Sequence, residues 1–288
     1  MLSKEAQEAI TFSRNFIKPG QKFPLTPEIA AHARKDADEG NAVETPADIQ
    51  LENIAENGVA GELYRTKEAS ESVLLFMHGG AYATGSVKSR QGICFKLLKR
   101  LEFDIFSVDY AQWPEARHPQ AHEDVVAAYT WLEKRYQKIY VFGESAGATL
   151  ALTLVLDRKA KNLALPEKVS VFSPVMSQLS ILPSEFTHSE RDPMLIGAGD
   201  PVPYFDEPEK RDPLISPIYG DFTGFPKLQI NCGSEEVKLD HAKVLYTLCQ
   251  QAGTDVSLDI WRDLFHVFIL FDMPETEKAL DKIADFFK

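Results

Sequence analysis

The feature that most constrains the fold is an alternation of short apolar runs with helical stretches, which begins near residue 48. Residues 73–77 (VLLFM) are apolar at every position, and such a run is typical of a strand buried on both faces of a parallel sheet. A later helical stretch carries Val125, Tyr129 and Leu132 at the spacing of one helix face. Strands that alternate with helices predict an α/β fold with a mostly parallel sheet flanked by helices.

Eight strands and six helices follow from this pattern. The links between the first two or three strands have hairpin length, so we predict antiparallel pairing at that edge of the sheet. The predicted strands are residues 48–54, 61–66, 73–78, 104–109, 138–143, 168–173, 227–232 and 256–261. The predicted helices are residues 3–17, 26–37, 91–101, 121–136, 146–158 and 239–252.

Two segments stand outside the alternation. Residues 176–222 contain seven prolines and no clear strand, and an irregular segment of this length inside a compact domain is usually functional, for example as a lid. The other interpretation is a long solvent-exposed loop that has no function of its own. We predict an N-terminal cap segment at residues 1–45, and a main domain at residues 46–288 that contains a cap insertion at about residues 176–215.

Charge and composition exclude several classes of protein. The 43 acidic residues outnumber the 31 Lys and Arg residues, which argues against a nucleic-acid partner because phosphate binding needs clustered basic side chains. No apolar run reaches the roughly 18–20 residues that cross a bilayer, so we expect no membrane partner. The first 20 residues lack the apolar core of a secretory signal, and the three cysteines form no CxxC pair. We therefore expect a cytoplasmic protein.

The strongest local motif is residues 143–147 (GESAG), between an apolar predicted strand and a predicted helix. It fits the G-x-S-x-G turn, in which a strained serine is exposed between strand and helix and the glycines relieve backbone crowding. The bare pattern also arises by chance in about one chain in ten of this length. The flanking strand and helix favour the functional interpretation, so Ser145 is the predicted nucleophile.

A nucleophilic serine needs a base and an acid that orients the base. For this type of turn the chain order is serine, acid, histidine, and His188, His241 and His266 follow Ser145. His188 lies in the irregular segment and His241 lies inside a predicted helix, whereas His266 lies in a loop after the last predicted strand. His266 is therefore the predicted base.

The acid is expected just after the predicted strand at residues 227–232. Glu235, Glu236 and Asp240 are the candidates there. Charged residues after a strand are usually solvated loop residues, and spacing alone does not choose among these three.

Acyl transfer also needs hydrogen-bond donors for the oxyanion that develops on the substrate. Residues 78–82 (HGGAY) follow a predicted strand and resemble the HGGG-type loop whose amides have that role in esterases and lipases. The other interpretation is a plain glycine turn. We predict that the oxyanion hole consists of the amides of Gly79, Gly80 and Ala146.

Over about residues 45–288, the chain resembles the hormone-sensitive-lipase-like α/β-hydrolases, also known as bacterial family IV esterases. Residues 107–115 (SVDYAQWPE) resemble the family block V-D-Y-R-L-A-P-E, and residues 264–268 (LFHVF) resemble its histidine block. Residues 233–240 (GSEEVKLD) resemble its acid-bearing segment D-P-L-x-D. Matching the last aspartate to Asp240 implies that Glu236 is the acid, and its separation of 30 residues from His266 agrees with the family.

The chain departs from the family pattern at several positions. Ala81 replaces the third glycine of the loop, Glu144 replaces a commoner aspartate, and Val237 replaces the proline of D-P-L. Trp113 lies where the family has smaller residues. We expect Ala81, Tyr82, Trp113 and Glu144 to line the substrate pocket.

The resemblance implies an α/β-hydrolase fold with an eight-stranded sheet and a helical cap. It also implies a serine carboxylesterase that hydrolyses short-chain carboxylic esters through an acyl-enzyme, with no metal and no cofactor. The expected partner is a small-molecule ester, and family members often form homodimers. The alternatives are an amidase or peptidase that uses the same triad, and a receptor-like member of the fold that binds ligand without catalysis.

Overall fold

The computed structural model of the protein describes residues 2–16, 25–66, 70–195, 202–205 and 208–288. The strands form one sheet in the order β1-β2-β4-β3-β5-β6-β7-β8. All eight predicted strands are confirmed, with ends that differ by at most two residues. The strands are β1 (Gln50–Glu56), β2 (Val59–Arg65), β3 (Ser72–Met77), β4 (Asp104–Val108), β5 (Lys138–Glu144), β6 (Lys168–Phe172), β7 (Lys227–Gly233) and β8 (Val256–Trp261).

Strand β3 explains the uninterrupted apolar run in the sequence. Val73, Leu75 and Met77 enter the core on one face of the sheet, and Leu74 and Phe76 enter the core on the other face. Successive side chains of a strand point to opposite faces, so a strand with a core on both sides is apolar at every position.

The antiparallel edge of the sheet is confirmed, with one correction to its connectivity. Strand β2 pairs antiparallel with β1 and with β4, and all other neighbouring strands pair in parallel. The short link from β2 to β3 is therefore not a hairpin, because β4 lies between these strands. Gly61 permits the close approach of β4, since a Cβ atom there would lie 2.3 Å from the carbonyl oxygen of Ser107.

The six predicted helices are confirmed, and two further helices were not predicted. One of these, α8, packs Leu280, Ile283 and Phe287 into the core at helical spacing, a pattern that is readable in the sequence. The helices are α1 (Lys4–Phe16), α2 (Pro27–Gly40), α3 (Gln91–Leu98), α4 (Gln120–Glu133), α5 (Ala146–Ala160), α6 (Ser184–Thr187), α7 (Leu239–Gln251) and α8 (Pro274–Phe287).

The segments predicted to form a cap contact each other and the loops at the carboxyl ends of the strands. Arg14 of α1 donates to the backbone oxygen of Glu190 at 3.3 Å, and Arg34 of α2 pairs with Glu115 at 2.7 Å. The described part of residues 176–222 contains α6 and short turns but no strand. Some residues of the predicted cap lie outside the described residues, namely 1, 17–24, 196–201 and 206–207.

The described helices and the cysteines were predicted to lack the features of a membrane protein and of a disulfide-linked protein. Among the described helices, none has both the length and the apolar character that a bilayer crossing requires. The three cysteines, Cys94, Cys232 and Cys249, are free and buried.

Candidate active site

Ser145 lies at the tight turn between β5 and α5. Its backbone has φ 53° and ψ −117°, and a positive φ outside glycine indicates strain. A Cβ atom on Gly143 would lie 2.2 Å from the carbonyl oxygen of Gly147, and one on Gly147 would lie 2.0 Å from that of Met77. No side chain fits at these two positions, so the glycines of the motif are a steric requirement of the turn.

The structure brings Ser145, His266 and Glu236 into one chain of contacts. Oγ of Ser145 lies 2.9 Å from Nε2 of His266, and Nδ1 of His266 lies 3.1 Å from Oε2 of Glu236. Glu236 is completely buried and His266 is 2% exposed. This arrangement allows an imidazole to take the proton of a serine hydroxyl while a carboxylate fixes the orientation of the ring.

Ser173, which was not predicted from the sequence, contacts both Glu236 and the loop beside His266. Its hydroxyl donates to Oε1 of Glu236 at 2.6 Å and accepts from the amide of Val267 at 3.0 Å. The amide of Gly233 also donates to Oε1 of Glu236, at 2.6 Å. Val267 has φ 48°, an unusual value for a β-branched residue. The loop beside His266 is therefore held in a strained conformation by its surroundings.

The other candidate acids and bases have partners elsewhere. Burial lowers the pKa of His241 to about 4, so this side chain is neutral at physiological pH. Each of the remaining candidates also has a hydrogen-bond partner outside the site, which favours Glu236 and His266. Glu235 accepts from the Ser234 hydroxyl at 2.8 Å, Asp240 accepts from the Ser184 amide at 2.9 Å, Nδ1 of His241 accepts from the Met176 amide at 2.9 Å, and Nδ1 of His188 lies 2.9 Å from the Thr187 hydroxyl.

The loop at residues 78–82 follows β3 and requires a correction to the predicted oxyanion hole. Gly80, Ala81 and Tyr82 have consecutive positive φ values of 116°, 52° and 58°. The amide of Gly79, however, donates to Oε1 of Glu144 at 2.6 Å. Its hydrogen is already engaged by a buried carboxylate, so the prediction that Gly79 is an oxyanion donor is wrong.

Glu144 lies under this loop rather than in the pocket, which corrects a second prediction. Its side chain is 1% exposed, and its Oε1 atom also accepts from Nε of Arg90 at 2.8 Å. Arg90 is itself 7% exposed and was missed in the sequence analysis, since nothing near residue 90 in the sequence points to residue 144. Glu144 therefore joins the turn at Ser145 to the loop at residues 78–82 through the Gly79 amide, and to Arg90 through a buried ion pair.

The aromatic residues predicted to line the pocket are largely buried. Tyr82 stacks on Tyr204 with ring centroids 4.9 Å apart, and its carbonyl oxygen accepts from the amide of Trp113 at 2.8 Å. Trp113 is 8% exposed, whereas Ala81 is exposed. Tyr82 therefore connects the loop after β3 with residues 202–205 of the predicted cap insertion.

The chemistry available at this site is that of a hydroxyl, an imidazole and a carboxylate. Within the described ranges, no group of three or more His, Cys, Asp and Glu side chains is arranged to hold a metal ion. Burial raises the pKa of Cys249 to about 12, so this thiol stays protonated and is a poor nucleophile or ligand.

Residues 74–270 match the model of a protein family whose description is alpha/beta hydrolase fold. The chain belongs to this family. Among its alpha/beta hydrolase relatives, an acetyl-hydrolase from Streptomyces hygroscopicus is 30% identical over 92% of this chain and 90% of the relative. An esterase from Acinetobacter venetianus is 28% identical over 83% of this chain and 82% of the relative.

Solved structures agree with this assignment. The crystal structure of the alpha/beta hydrolase EstE5, soaked in ethyl alcohol, has a TM-score of 0.90 and 27% identity, and the match covers 99% of this chain and 97% of that one. An esterase from the bacterial hormone-sensitive lipase family has a TM-score of 0.87 and 28% identity, over 99% of this chain and 98% of that one. The resemblance to the hormone-sensitive-lipase-like alpha/beta hydrolases is confirmed.

Proposed function

We propose that this protein hydrolyses small carboxylic esters with Ser145 as nucleophile, His266 as general base and Glu236 as the acid that orients His266. The chain is a carboxylic ester hydrolase, as the sequence predicts, and relatives named esterase and acetyl-hydrolase support this class. The proposal for the triad rests on one observation, the contacts of 2.9 Å and 3.1 Å that link the strained Ser145 through His266 to Glu236.

Each side chain has a defined part in the proposed reaction. His266 takes the proton of Ser145 as its oxygen attacks the ester carbonyl, and then gives that proton to the leaving alcohol. Glu236 stabilises the imidazolium that forms in between. Water then attacks the acyl-enzyme by the same route and releases the carboxylic acid.

The oxyanion is proposed to accept from the amides of Gly80, Ala81 and Ala146. Ala81 takes the place of Gly79, whose amide is bound to Glu144. No acceptor among the described residues engages the amides of Gly80 and Ala81. Ala146 begins α5, so the positive end of that helix also favours the negative charge on the substrate oxygen.

The proposed substrates carry short acyl chains, and residues 1–45 and 176–215 are proposed to form a cap over the site. The contact between Arg14 and Glu190 supports a cap that is formed by both segments together. Of the residues predicted to line the pocket, Ala81 is exposed, whereas Tyr82 and Trp113 are largely buried. A roofed site of about 300–1,000 Å³ suits a small ligand, so we expect acyl chains of about two to six carbons.

We also propose a cytoplasmic location, no nucleic-acid partner and a homodimer. The net charge of −12 supports the second point. Strand β8 is the last strand at one edge of the sheet, and its Ile260 is 44% exposed, which supports pairing of two copies at this edge. Light scattering of wild-type protein and of an Ile260→Lys variant tests the dimer: a monomeric wild type contradicts it.

The proposed function is tested with p-nitrophenyl esters from acetate to palmitate. We expect the highest kcat/KM for chains of about two to six carbons and loss of nearly all turnover in Ser145→Ala. The control is Ser189→Ala, which removes a half-buried hydroxyl that donates to the carbonyl oxygen of Phe186 and should retain full activity. Turnover by folded Ser145→Ala close to that of the wild type contradicts the triad, and a preference for chains of about ten carbons or more contradicts the small pocket.

A further inference from the structure

The loop that carries Glu236 is fastened to residues 184–192, which lie far from it in sequence. Oδ2 of Asp192 accepts from the amide of Val237 at 3.0 Å. The hydroxyl of Ser184 donates to the carbonyl oxygen of Val237 at 2.8 Å, and the Ser184 amide donates to Asp240 at 2.9 Å. Both backbone groups of the residue next to Glu236 are thus bound by one distant segment.

Asp192 is an unusual partner because it is a buried carboxylate. It is 4% exposed, and its second oxygen accepts from the amide of Met194 at 2.9 Å. Among the described residues, no Lys or Arg forms an ion pair with it. The carboxylate offers one acceptor oxygen to each of these two amides, which an Asn side chain cannot do, and its burial without a counter-charge costs free energy.

The charges around Asp192 give a reason for its acidity at this position. Burial raises the pKa of Asp192 to about 6, the positive charge on His266 opposes that rise, and the negative charge on Glu236 adds to it. The carboxylate is therefore ionised at neutral pH and interacts favourably with a protonated His266. The charged groups nearby have partners of their own: Arg191 pairs with Glu235, and Lys238 pairs with Glu185, which the neutral His241 also contacts.

We propose that Asp192 is a positioning residue of the triad: its bond to the Val237 amide fixes the loop that carries Glu236, and its negative charge stabilises the imidazolium formed at His266. This inference rests on the proposed roles of Glu236 and His266. It makes two separable claims, one about the amide bond and one about the charge.

Asp192→Asn tests the charge, because the amide side chain has nearly the same shape and its one oxygen can still accept from Val237, although the bond to the Met194 amide is lost. We expect kcat to fall about tenfold, because an opposite charge stabilises the imidazolium of the transition state, and KM to change less than about twofold. The acid limb of kcat/KM should move to lower pH by at least about 0.5 unit, since protonation of His266 loses a favourable interaction. Asp212→Asn is the control, because Asp212 accepts from the amide of Leu214 in a similar turn but is exposed.

Val237→Pro tests the amide bond, because proline has no N–H while Asp192 keeps its charge. Its control is Val237→Ala, which loses the side chain and retains the amide. We expect lower kcat than in the control, with the acid limb unchanged. Thermal unfolding verifies that each variant is folded, and the Val237 pair still tests the proposal if Asp192→Asn does not fold.

Wild-type kcat and an unmoved acid limb in folded Asp192→Asn would overturn the role of the charge. Equal kcat in Val237→Pro and Val237→Ala would overturn the role of the amide bond. Ser145→Ala, measured alongside, separates failure of this inference from failure of the proposed function: an inactive Ser145→Ala beside a fully active Asp192→Asn contradicts only the inference.

Discussion

The nucleophile half of the site, which comprises Ser145 and the loop at residues 78–82, and the acid–base half, which comprises Glu236 and His266, are held in place differently. In the nucleophile half, the backbone of α5 lies directly against β3, and Glu144 lies directly against the loop after β3. A Cβ atom on Gly147 would lie 2.0 Å from the carbonyl oxygen of Met77, and one on Gly79 would lie 2.3 Å from Oε2 of Glu144. There is no space for adjustment between these elements.

In the acid–base half, close backbone packing occurs at Gly233, where a Cβ atom would lie 2.2 Å from the carbonyl oxygen of Leu264, and hydrogen bonds over long sequence distances are added to it. Glu236 is bound by the hydroxyl of Ser173, 63 residues away in the sequence, and the next residue, Val237, is bound by Asp192. The comparison teaches that the first half is fixed by steric fit, so substitutions there should act almost as all or none. The polar side chains of the second half are held by several separate hydrogen bonds, so substitutions of those side chains should have graded effects.

The largest expected effect is that of Gly147→Ala. Because the added methyl group meets the backbone of β3, we expect a loss of at least about 3 kcal/mol in the free energy of unfolding and no measurable esterase activity. Gly40→Ala is the control, since nothing lies within 4 Å of a Cβ atom there. Chemical denaturation and kcat/KM measure both effects, and a folded, active Gly147→Ala protein would refute the steric account.

Glu144→Gln should have the next largest effect. It leaves Arg90 buried without its counter-charge and weakens the bond to the Gly79 amide, so we expect about a hundredfold lower kcat and about 3 kcal/mol of lost stability. Glu52→Gln removes an exposed ion pair with Arg65 and should cost less than about 1 kcal/mol. If the two variants behave alike in kinetics and denaturation, the ion pair under the loop has no special part in catalysis.

Ser173→Ala should lower kcat about tenfold, because the hydroxyl bonds both Glu236 and the strained Val267. The matched control is Ser170→Ala on strand β6, which ends just before Ser173; the Ser170 hydroxyl donates to Gln229 at 2.9 Å. Both variants lose one buried hydroxyl, so both should lose about 1–2 kcal/mol of stability. Only Ser173→Ala should lose kcat, and equal kcat in the two variants would show that Ser173 acts on stability alone.

The smallest effect concerns the pH dependence of stability in the acid–base half. The pKa of His241 is lowered to about 4 by burial, so its contribution to stability is present above its unfolded pKa of about 6.5 and is lost as pH falls from there toward 4. We expect the wild type to lose about 2 kcal/mol more than His241→Gln between pH 7 and pH 5.

The exposed His32→Gln is the control for this measurement. Urea denaturation at the two pH values gives the difference for each protein. The same loss in wild type and His241→Gln would mean that the buried His241 does not titrate as described.

How much was predictable from sequence does not follow this division. The strands were predicted from their apolar runs, the turn at Ser145 from a local motif in which steric rules fix the places of glycine and serine, and His266 from the chain order of serine, acid and histidine. The acid required the family pattern to choose Glu236 from Glu235 and Asp240. The engagement of Gly79 by Glu144 could not be read from the sequence, because it depends on how the fold brings side chains together.

The central claim is that Ser145 is the residue that becomes acylated. Intact-mass spectrometry of protein treated with a fluorophosphonate, followed by peptide mapping, measures this directly. We expect one adduct per chain, on the peptide that contains Ser145, with activity lost in proportion to labelling. Complete inactivation with the adduct on another residue, or full labelling of Ser145 with activity retained, would contradict the account.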